Sequence, residues 1–351
     1  NGFYNENLEF VHLERIHIVC SMNPATTVGR HPLSTRLTAI AHIAYIDYPS
    51  RDELVSVYAS MLEKAFQSVP DLADNRFKTP KEARKLADTM VELYYQVKSK
   101  FGVDDHRHYL FTPRHLTSWV VGLLRYDLAS EDMLDVVAYE AQRLFRDRLV
   151  DEDSEGRFDG MLNSLIKSRW SKAPDIKNQY FTCLMGASRV GGGGAGGKTS
   201  EGKDDNGDDE EGSAASKDPQ LQRVQSADFR AIVTDGLELY EREERELNVL
   251  LFQEVLDNIA RVDRTLSKRG GSLLLVGRSG VGRRTATSLV AHMHGMVFQS
   301  LDITDEFGQK SLHIQLKNVL QLAGVENEQV VFYVEDHHIA VLSDVLETVN
   351  S

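Results

Sequence analysis

The feature that most constrains the fold is a glycine-rich turn that joins an apolar stretch to an amphipathic one. It reads GGSLLLVGRSGVGRRTATSLV and covers residues 270–290. The apolar residues 272–276 predict a strand, and the residues after the turn predict a helix. Gly277, Gly280 and Gly282 allow the backbone to turn its N–H groups inward around phosphate groups, next to the positive end of the helix dipole. A purely structural strand-to-helix turn is the alternative interpretation.

The turn nearly matches the phosphate-binding pattern GxxxxGK[ST], and two positions depart from it. Arg283 stands in place of the lysine and keeps its positive charge. Arg284 replaces the hydroxyl that would hold Mg²⁺, and Thr285 lies about 100° further round the helix. We therefore predict a site that binds nucleotide but hydrolyses it slowly or not at all. The predicted nucleotide-binding residues are Gly277, Arg278, Ser279, Gly280, Val281, Gly282, Arg283, Arg284 and Thr285.

Two acidic residues follow another apolar run about fifty residues later, in VVFYVEDHH. Glu335 and Asp336 stand at the end of the strand predicted at 330–334, where phosphate-binding-loop enzymes hold a magnesium ligand and a catalytic base. We assign Glu335 to the metal and Asp336 to the base. His337 and His338 come next, but neighbours at a strand end point to opposite sides, so we do not expect them to share an ion.

The pattern from residue 248 onward alternates between helix and strand. A helix that Asn248 could cap is followed by the strand at 272–276, a helix from about Arg284 and a strand at 297–301. A helix with a stripe of apolar residues from Leu312 and the strand at 330–334 complete the series. This order predicts an α/β fold with a parallel sheet and crossover helices.

The first half of the chain contains two different sequence patterns. Residues 1–50 predict strands and loops, with strands at 16–22 and 41–49, whereas residues from 51 to about 148 predict helices. One helix start is well marked, because Thr112 is a good N-cap and Pro113 suits the first helical position. Trp119 lies in the apolar stripe of that helix and is predicted to be core.

Residues 186–219 are too polar and glycine-rich to form a core. They hold ten of the 25 glycines and eight acidic residues, with Val190 as the one large aliphatic side chain. Such a segment cannot bury enough surface to offset chain entropy, so we predict a flexible linker. Docking of a basic partner on its acidic run is the alternative.

Overall charge and hydropathy exclude some classes of function. The net charge of −13 argues against a nucleic-acid-binding protein, which would carry a basic face. We find no apolar run near the ~20 residues of a membrane-spanning helix and no charged-then-apolar leader. Cys20 and Cys183 make no metal or disulfide framework.

Three further residues are individually ambiguous. Asn23 ends a predicted strand, where its amide can orient a water against a phosphate, but Asn-Pro is equally typical of a turn. Arg36 and Arg114, taken alone, suit surface ion pairs. Their order along the chain, however, resembles the second half of an AAA+ module, in which Asn23 is sensor I, Arg36 the arginine finger and Arg114 sensor II.

More specifically, the chain resembles dynein heavy chains across their third and fourth AAA+ modules. The stretches that carry the resemblance are SMNPATTVGRHPLSTRL, FTPRHLTSWVVGLLRYDL, VVAYEAQRLFRDRLV, LLFQEVLDNIARVDRTLS and the glycine-rich turn. The paired arginines in GRSGVGRRT and the order Glu335-Asp336 favour the dynein class of retrograde intraflagellar transport. Arg36 would then act on the nucleotide of the preceding module.

The resemblance implies AAA+ P-loop NTPase modules, each a parallel sheet with flanking helices, and an α-helical lid. Residues 1–50 would be the end of the third large α/β subdomain and 51–185 its helical lid. Residues 186–226 would be the flexible linker, and 227–351 the start of the fourth large subdomain with its P-loop. The implied cofactors are ATP or ADP and Mg²⁺.

The resemblance also implies partners and a location. The partners are microtubules, contacted through a stalk outside these residues, and the dynein intermediate, light intermediate and light chains. Intraflagellar transport trains and a second heavy chain, in a homodimer, are further implied partners. No nucleic-acid partner is expected. The expected location is the cytoplasm, the cytoskeleton and the cilium.

Overall fold

The computed structural model describes residues 2–12, 14–15, 17, 19–22, 33–184, 218–303 and 308–341. The chain divides into two compact units, Asn1–Tyr48 and Pro49–Ser351. Of the described helices, none combines the length and apolar character needed to cross a membrane.

The described residues of the first unit form a short hairpin and a helix. Strands β1 (Gly2–Tyr4) and β2 (Phe10–His12) pair antiparallel. Helix α1 (Thr35–Ile40) begins after Ser34, whose hydroxyl accepts a hydrogen bond from the N–H of Leu37.

The strands predicted at 16–22 and 41–49 do not form in the described residues. Positions 17, 19–22 and 42–49 have no regular structure, and Ile43 is 67% exposed. A strand needs the ladder hydrogen bonds of a neighbour, and neither run is paired in the part of this unit that the structure describes.

The second unit begins with a helical layer, as its apolar periodicity predicts. Its helices are α2 (Arg51–Gln67), α3 (Pro80–Lys100), α4 (Pro113–Leu123), α5 (Met133–Leu144) and α6 (Glu152–Trp170). Thr112 and Pro113 start α4 as predicted. Trp119 is 1% exposed, and its indole N–H donates to the carbonyl of Val137, so its assignment to the core is confirmed.

The chain continues through a two-stranded antiparallel sheet and two helices. Strand β3 (Gln179–Thr182) pairs with β4 (Gln222–Gln225), and α7 (Ser226–Glu243) and α8 (Gln253–Leu266) follow. Residues 218–226, which the sequence assigns to the linker, therefore include a paired strand and the start of a helix. Residues 185–217 lie outside the described residues.

The last part of the chain contains the parallel pair that the sequence predicts. Its elements are α9 (Arg283–Met293), β5 (Val297–Ser300), α10 (Gln309–Gly324), β6 (Val330–Tyr333) and α11 (Asp336–Val341). Strands β5 and β6 run parallel, with Val297 opposite Val330 and Ser300 opposite Tyr333. This register brings the carboxyl ends of both strands to the same edge.

Two predictions about secondary structure after residue 247 are wrong. Residues 272–276 form no strand, and Leu274 is 83% exposed, because no neighbouring strand in the described residues pairs with them. Asn248 does not cap a helix, since its φ of 51° is left-handed and α8 begins only after Phe252.

Candidate nucleotide-binding site

The glycine-rich turn lies directly before α9, and its backbone is open. Gly280 and Gly282 have φ values of 83° and 77°, which other residues rarely adopt, and Gly282 is the N-cap of α9. A Cβ at either position would meet no atom within 4 Å. In the described part of the chain, the N–H groups of residues 277–282 donate no hydrogen bond to protein. The turn therefore offers unpaired donors at a helix N-terminus, which fits a phosphate group.

The side chain of Arg283 folds back toward the residues that precede the turn. Its Nη1 donates to the carbonyl oxygen of Leu275 at 3.5 Å, and its Cδ passes 4.0 Å from the position of a Cβ at Gly277. The cation that replaces the lysine thus lies beside the loop, with most of its N–H donors left for an anion.

The side chain of Arg284 spans from α9 to the sheet. Its Nη1 lies 3.5 Å from Oε1 of Glu335. Its guanidinium carbon lies 5.7 Å from the ring centroid of Phe298 and 6.0 Å from that of Tyr333. These rings stand on β5 and β6 with their centroids 5.4 Å apart. Arg284 therefore combines an ion pair with contacts to two aromatic faces.

Glu335 lies two residues beyond β6, near the strand end that the sequence predicts. Its carboxylate contacts two side chains, Arg284 and His337. Oε1 faces Arg284, and Oε2 lies 3.2 Å from Nδ1 of His337. The backbone N–H of Glu335 donates to Nδ1 of His338 at 3.1 Å. Asp336 is exposed in the first turn of α11.

The prediction that His337 and His338 point to opposite sides is wrong. They lie on α11, where successive side chains are about 100° apart instead of the 180° of a strand. Their ring centroids are 4.1 Å apart, and ligand atoms of Glu335, His337 and His338 all lie within 4.8 Å of one another. Burial lowers the pKa of His338, and the neighbouring His337 lowers it further. Among the residues that the structure describes, these three form the group whose ligand atoms are close enough to bind one metal ion.

The site does not fit the magnesium ion that the sequence predicts. Mg²⁺ prefers oxygen ligands in a near-octahedral arrangement. Position 284 has a guanidinium where the hydroxyl ligand would be, and that guanidinium pairs with Glu335, the predicted metal ligand. The other carboxylate oxygen of Glu335 faces His337, a nitrogen ligand.

Within the second unit, the structure brings together part of the predicted site. The turn, α9 and the Glu335 region converge, whereas Arg114 is exposed at the second position of α4 and Arg36 is exposed in the first unit. Asn23 lies outside the described residues. Phe298 and Tyr333 were missed by sequence reasoning, although aromatic residues in two strands predicted to be parallel neighbours were the available signal.

Comparison with known protein families gives two matches, one in the helical layer and one in the part of the chain that contains the glycine-rich turn. Residues 53–155 match a model described as the dynein heavy chain ATPase lid domain, and residues 247–351 match one described as the P-loop containing dynein motor region D4. Together these ranges cover more than half of the chain.

Individual relatives agree with the two models. The chain is 44% identical to cytoplasmic dynein 2 heavy chain 1 of Tripneustes gratilla over 361 residues, and 43% identical to that of Mus musculus over 359. Both alignments cover 100% of this chain and 8% of the relative. A cytoplasmic dynein heavy chain of Drosophila melanogaster is 29% identical over 356 residues.

The higher identities confirm the preference for the dynein 2 class that the paired arginines indicated. The matched models also confirm the α/β fold of AAA+ modules with a helical lid, and with it a nucleotide-binding ATPase family. The chain spans about 8% of the length of the curated relatives it matches. It belongs to the dynein heavy chain family, is similar to cytoplasmic dynein 2, and corresponds to a part of the motor region that contains an ATPase lid domain and a P-loop domain.

Proposed function

We propose that this chain is part of an ATP-driven, minus-end-directed microtubule motor of retrograde intraflagellar transport. Its turn at 277–285 binds ATP or ADP and hydrolyses it slowly or not at all. The segment therefore has a regulatory or transmitting role within the motor and does not complete a catalytic site. The observation that best supports this is the open turn with unpaired N–H donors, whose neighbouring acidic residue is paired with Arg284. Arg283 and Arg284, at the start of α9, add charge complementary to a phosphate chain.

The resemblance supports roles for the residues that lie elsewhere. Asn23 and Arg114 act as sensors of the third module, and Arg36 acts on the nucleotide of the module before it. An amide that positions water and a guanidinium that neutralises developing charge both act in the transition state. Their loss is therefore expected to lower turnover more than nucleotide affinity.

The partners and location of the full heavy chain are part of the same proposal. They are microtubules, the intermediate, light intermediate and light chains, intraflagellar transport trains and a second heavy chain, in the cytoplasm, cytoskeleton and cilium. The similarity to cytoplasmic dynein 2 supports them. A ring scaffold that binds nucleotide only to hold its shape is the second candidate, and the pairing of Glu335 with a protein cation favours it.

The hydrolysis proposal is tested by Asp336→Ala in the full heavy chain, with nucleotide occupancy at this site confirmed. We expect little change in microtubule-stimulated ATPase, because the site lacks the hydroxyl that holds magnesium and its candidate base is a short, exposed carboxylate. Arg36→Ala in the same assay is the contrast, since an arginine finger contributes strongly to turnover and its loss is expected to slow it.

Two outcomes would count against these proposals. A large fall in ATPase caused by Asp336→Ala would show that the site is a working hydrolase. Absence of microtubule gliding by the full heavy chain would favour the scaffold over the motor.

A further inference from the structure

We propose that Arg284 takes the place of the magnesium ion, so that this site binds a nucleoside diphosphate or triphosphate without a divalent cation. The inference rests on the proposed nucleotide binding at 277–285. It follows from which groups Arg284 touches and from which groups it displaces.

In a phosphate-binding loop of the usual pattern, a hydroxyl after the lysine and an acidic residue at a strand end hold Mg²⁺ against the phosphates. Here the same two positions, Arg284 and Glu335, contact each other directly, with Nη1 and Oε1 3.5 Å apart. A divalent cation that bound Glu335 would have to displace the guanidinium or accept a like charge beside it. The arrangement therefore disfavours Mg²⁺ at this place.

Arg284 is held in position by more than this one ion pair. The side chain is 43% exposed, and an ion pair that exposed contributes little by itself. The faces of Phe298 and Tyr333, on two adjacent strands, add cation–π contacts on the sheet side. The guanidinium is thus anchored over the carboxyl edge of the β5–β6 pair.

The same guanidinium has donors left for a ligand. It carries five N–H donors in a planar fork, and its described contact with Glu335 uses one of its nitrogens. Arginine binds phosphate oxygens in a bidentate geometry, and its charge does not depend on pH. Arg283, whose side chain folds back toward the residues that precede the turn, supplies a second cation. Two fixed guanidinium charges can offset the phosphate charge that Mg²⁺ offsets in other loops.

The experiment measures equilibrium binding of radiolabelled ADP to the full heavy chain, in excess Mg²⁺ and in excess EDTA. The contribution of this site is the difference between wild type and Gly280→Asp. Asp adopts a positive φ more often than most residues, so the strain at Gly280 is local, and a Cβ there meets no atom within 4 Å; the fold outside the turn is therefore expected to persist. Its carboxylate opposes a phosphate. Gly282→Asp is a second reference of the same kind.

We expect wild type to bind ADP at this site with a Kd that differs less than about threefold between Mg²⁺ and EDTA. For Arg284→Thr, which restores a hydroxyl, we expect the Kd in EDTA to rise roughly tenfold or more, as for a lost charged hydrogen bond. Mg²⁺ should recover most of that loss. Arg269→Thr is the matched control, because Arg269 is an exposed arginine that lies before the turn at 277–285, and its Kd should match that of wild type in both conditions.

Each outcome separates the inference from the proposed function. Binding of ADP by wild type in Mg²⁺ but not in EDTA would overturn the inference and leave nucleotide binding intact. No ADP at this site under either condition would overturn both. If Arg284→Thr stays independent of Mg²⁺, or if Mg²⁺ fails to recover its binding while the thermal unfolding profile of the heavy chain is unchanged, Arg284 does not stand in for the cation. The wild-type comparison decides the question even if Arg284→Thr does not fold.

Discussion

The structure requires glycine at position 122, because it leaves no room for a side chain there. Gly122 lies in α4 against Glu140 of α5, and a Cβ at this position would overlap Oε1 of that carboxylate. Glu140 is fully buried, accepts a hydrogen bond from Tyr126 at 2.6 Å and forms an ion pair with Arg264. It cannot swing aside without breaking those contacts.

We predict that Gly122→Ala destabilises α4 and α5 by about 1–3 kcal/mol, the usual cost of overpacking a buried site. Gly156→Ala is the control, because a Cβ there meets no atom within 4 Å on the exposed face of α6. Alanine is the better helix former, so this variant should gain up to about 1 kcal/mol. Hydrogen exchange of peptides from each helix in the full heavy chain gives both values. Equal effects of the two substitutions would refute the assignment.

At the scale of elements, α4 begins with a capping box that uses a histidine. The N–H of Thr112 donates to Nδ1 of His115 at 3.1 Å, and in return the side chain of Thr112 faces the backbone N–H of His115. The ring is partly buried next to Phe111 and Phe145. Burial is the largest cause that lowers the pKa of His115 below its ordinary value, and the charge of Arg148 lowers it further.

The lowered pKa gives the first turn of α4 a predicted pH dependence. The unfolded chain binds a proton near pH 6.5, whereas the folded chain takes it up only at lower pH. In that window the unfolded state holds more protons, so the free energy of unfolding rises with pH. The contribution of His115 is thus complete above about pH 6.5 and is lost as the pH falls toward the folded-state pKa.

His115→Gln removes the titrating ring but keeps an N3 side chain that suits a capping box. We expect amide protection in the first turn of wild-type α4 to fall on acidification below about pH 6.5, after correction for intrinsic exchange rates, and to stay flatter in the variant. A pH profile shared by both proteins would exclude His115 as the cause.

At the scale of the whole molecule, buried polar contacts join the helical layer to the part of the second unit that carries the candidate nucleotide-binding site. Glu140 on α5 pairs with Arg264 on α8. Arg125, just after α4, donates to the carbonyl of Arg264 at 2.7 Å and to the hydroxyl of Ser267 at 2.8 Å. Because α8 also packs against α9, these contacts connect α5 and the end of α4 with the helix that follows the glycine-rich turn.

Removing one partner of a buried ion pair leaves the other charge without compensation, which costs about 3–5 kcal/mol. We predict a loss of this size in the opening free energies of α5 and α8 for Arg264→Met, measured by hydrogen exchange in the full heavy chain. Arg157→Met is the matched control, since the Arg157–Asp153 pair on α6 is 56% and 79% exposed and should contribute less than about 1 kcal/mol. Similar losses in both variants would show that the Arg264–Glu140 pair contributes no more to stability than an exposed pair.

Features that depend on neighbouring residues could be predicted from the sequence. The start of α4 at Thr112 and Pro113 and the positive φ of Gly280 and Gly282 follow from local preferences of the chain. The parallel pair at 297–300 and 330–333 follows from alternation of helix and strand patterns. Each of these signals lies within a few residues of the element that it predicts.

Contacts between residues far apart in the sequence could not be predicted in this way, because they form when the chain folds. Arg284 and Glu335 are 51 positions apart, and Arg264 and Glu140 are 124 apart, so no local pattern specifies that they pair. The apolar run at 272–276 has the composition of a strand, but a strand exists only where a neighbour completes its hydrogen bonds. His337 and His338 lie side by side because a helix begins at Asp336, where the sequence pattern predicted the end of a strand. Pairing of distant groups has no local signature, because its free energy is realised only when the chain has folded.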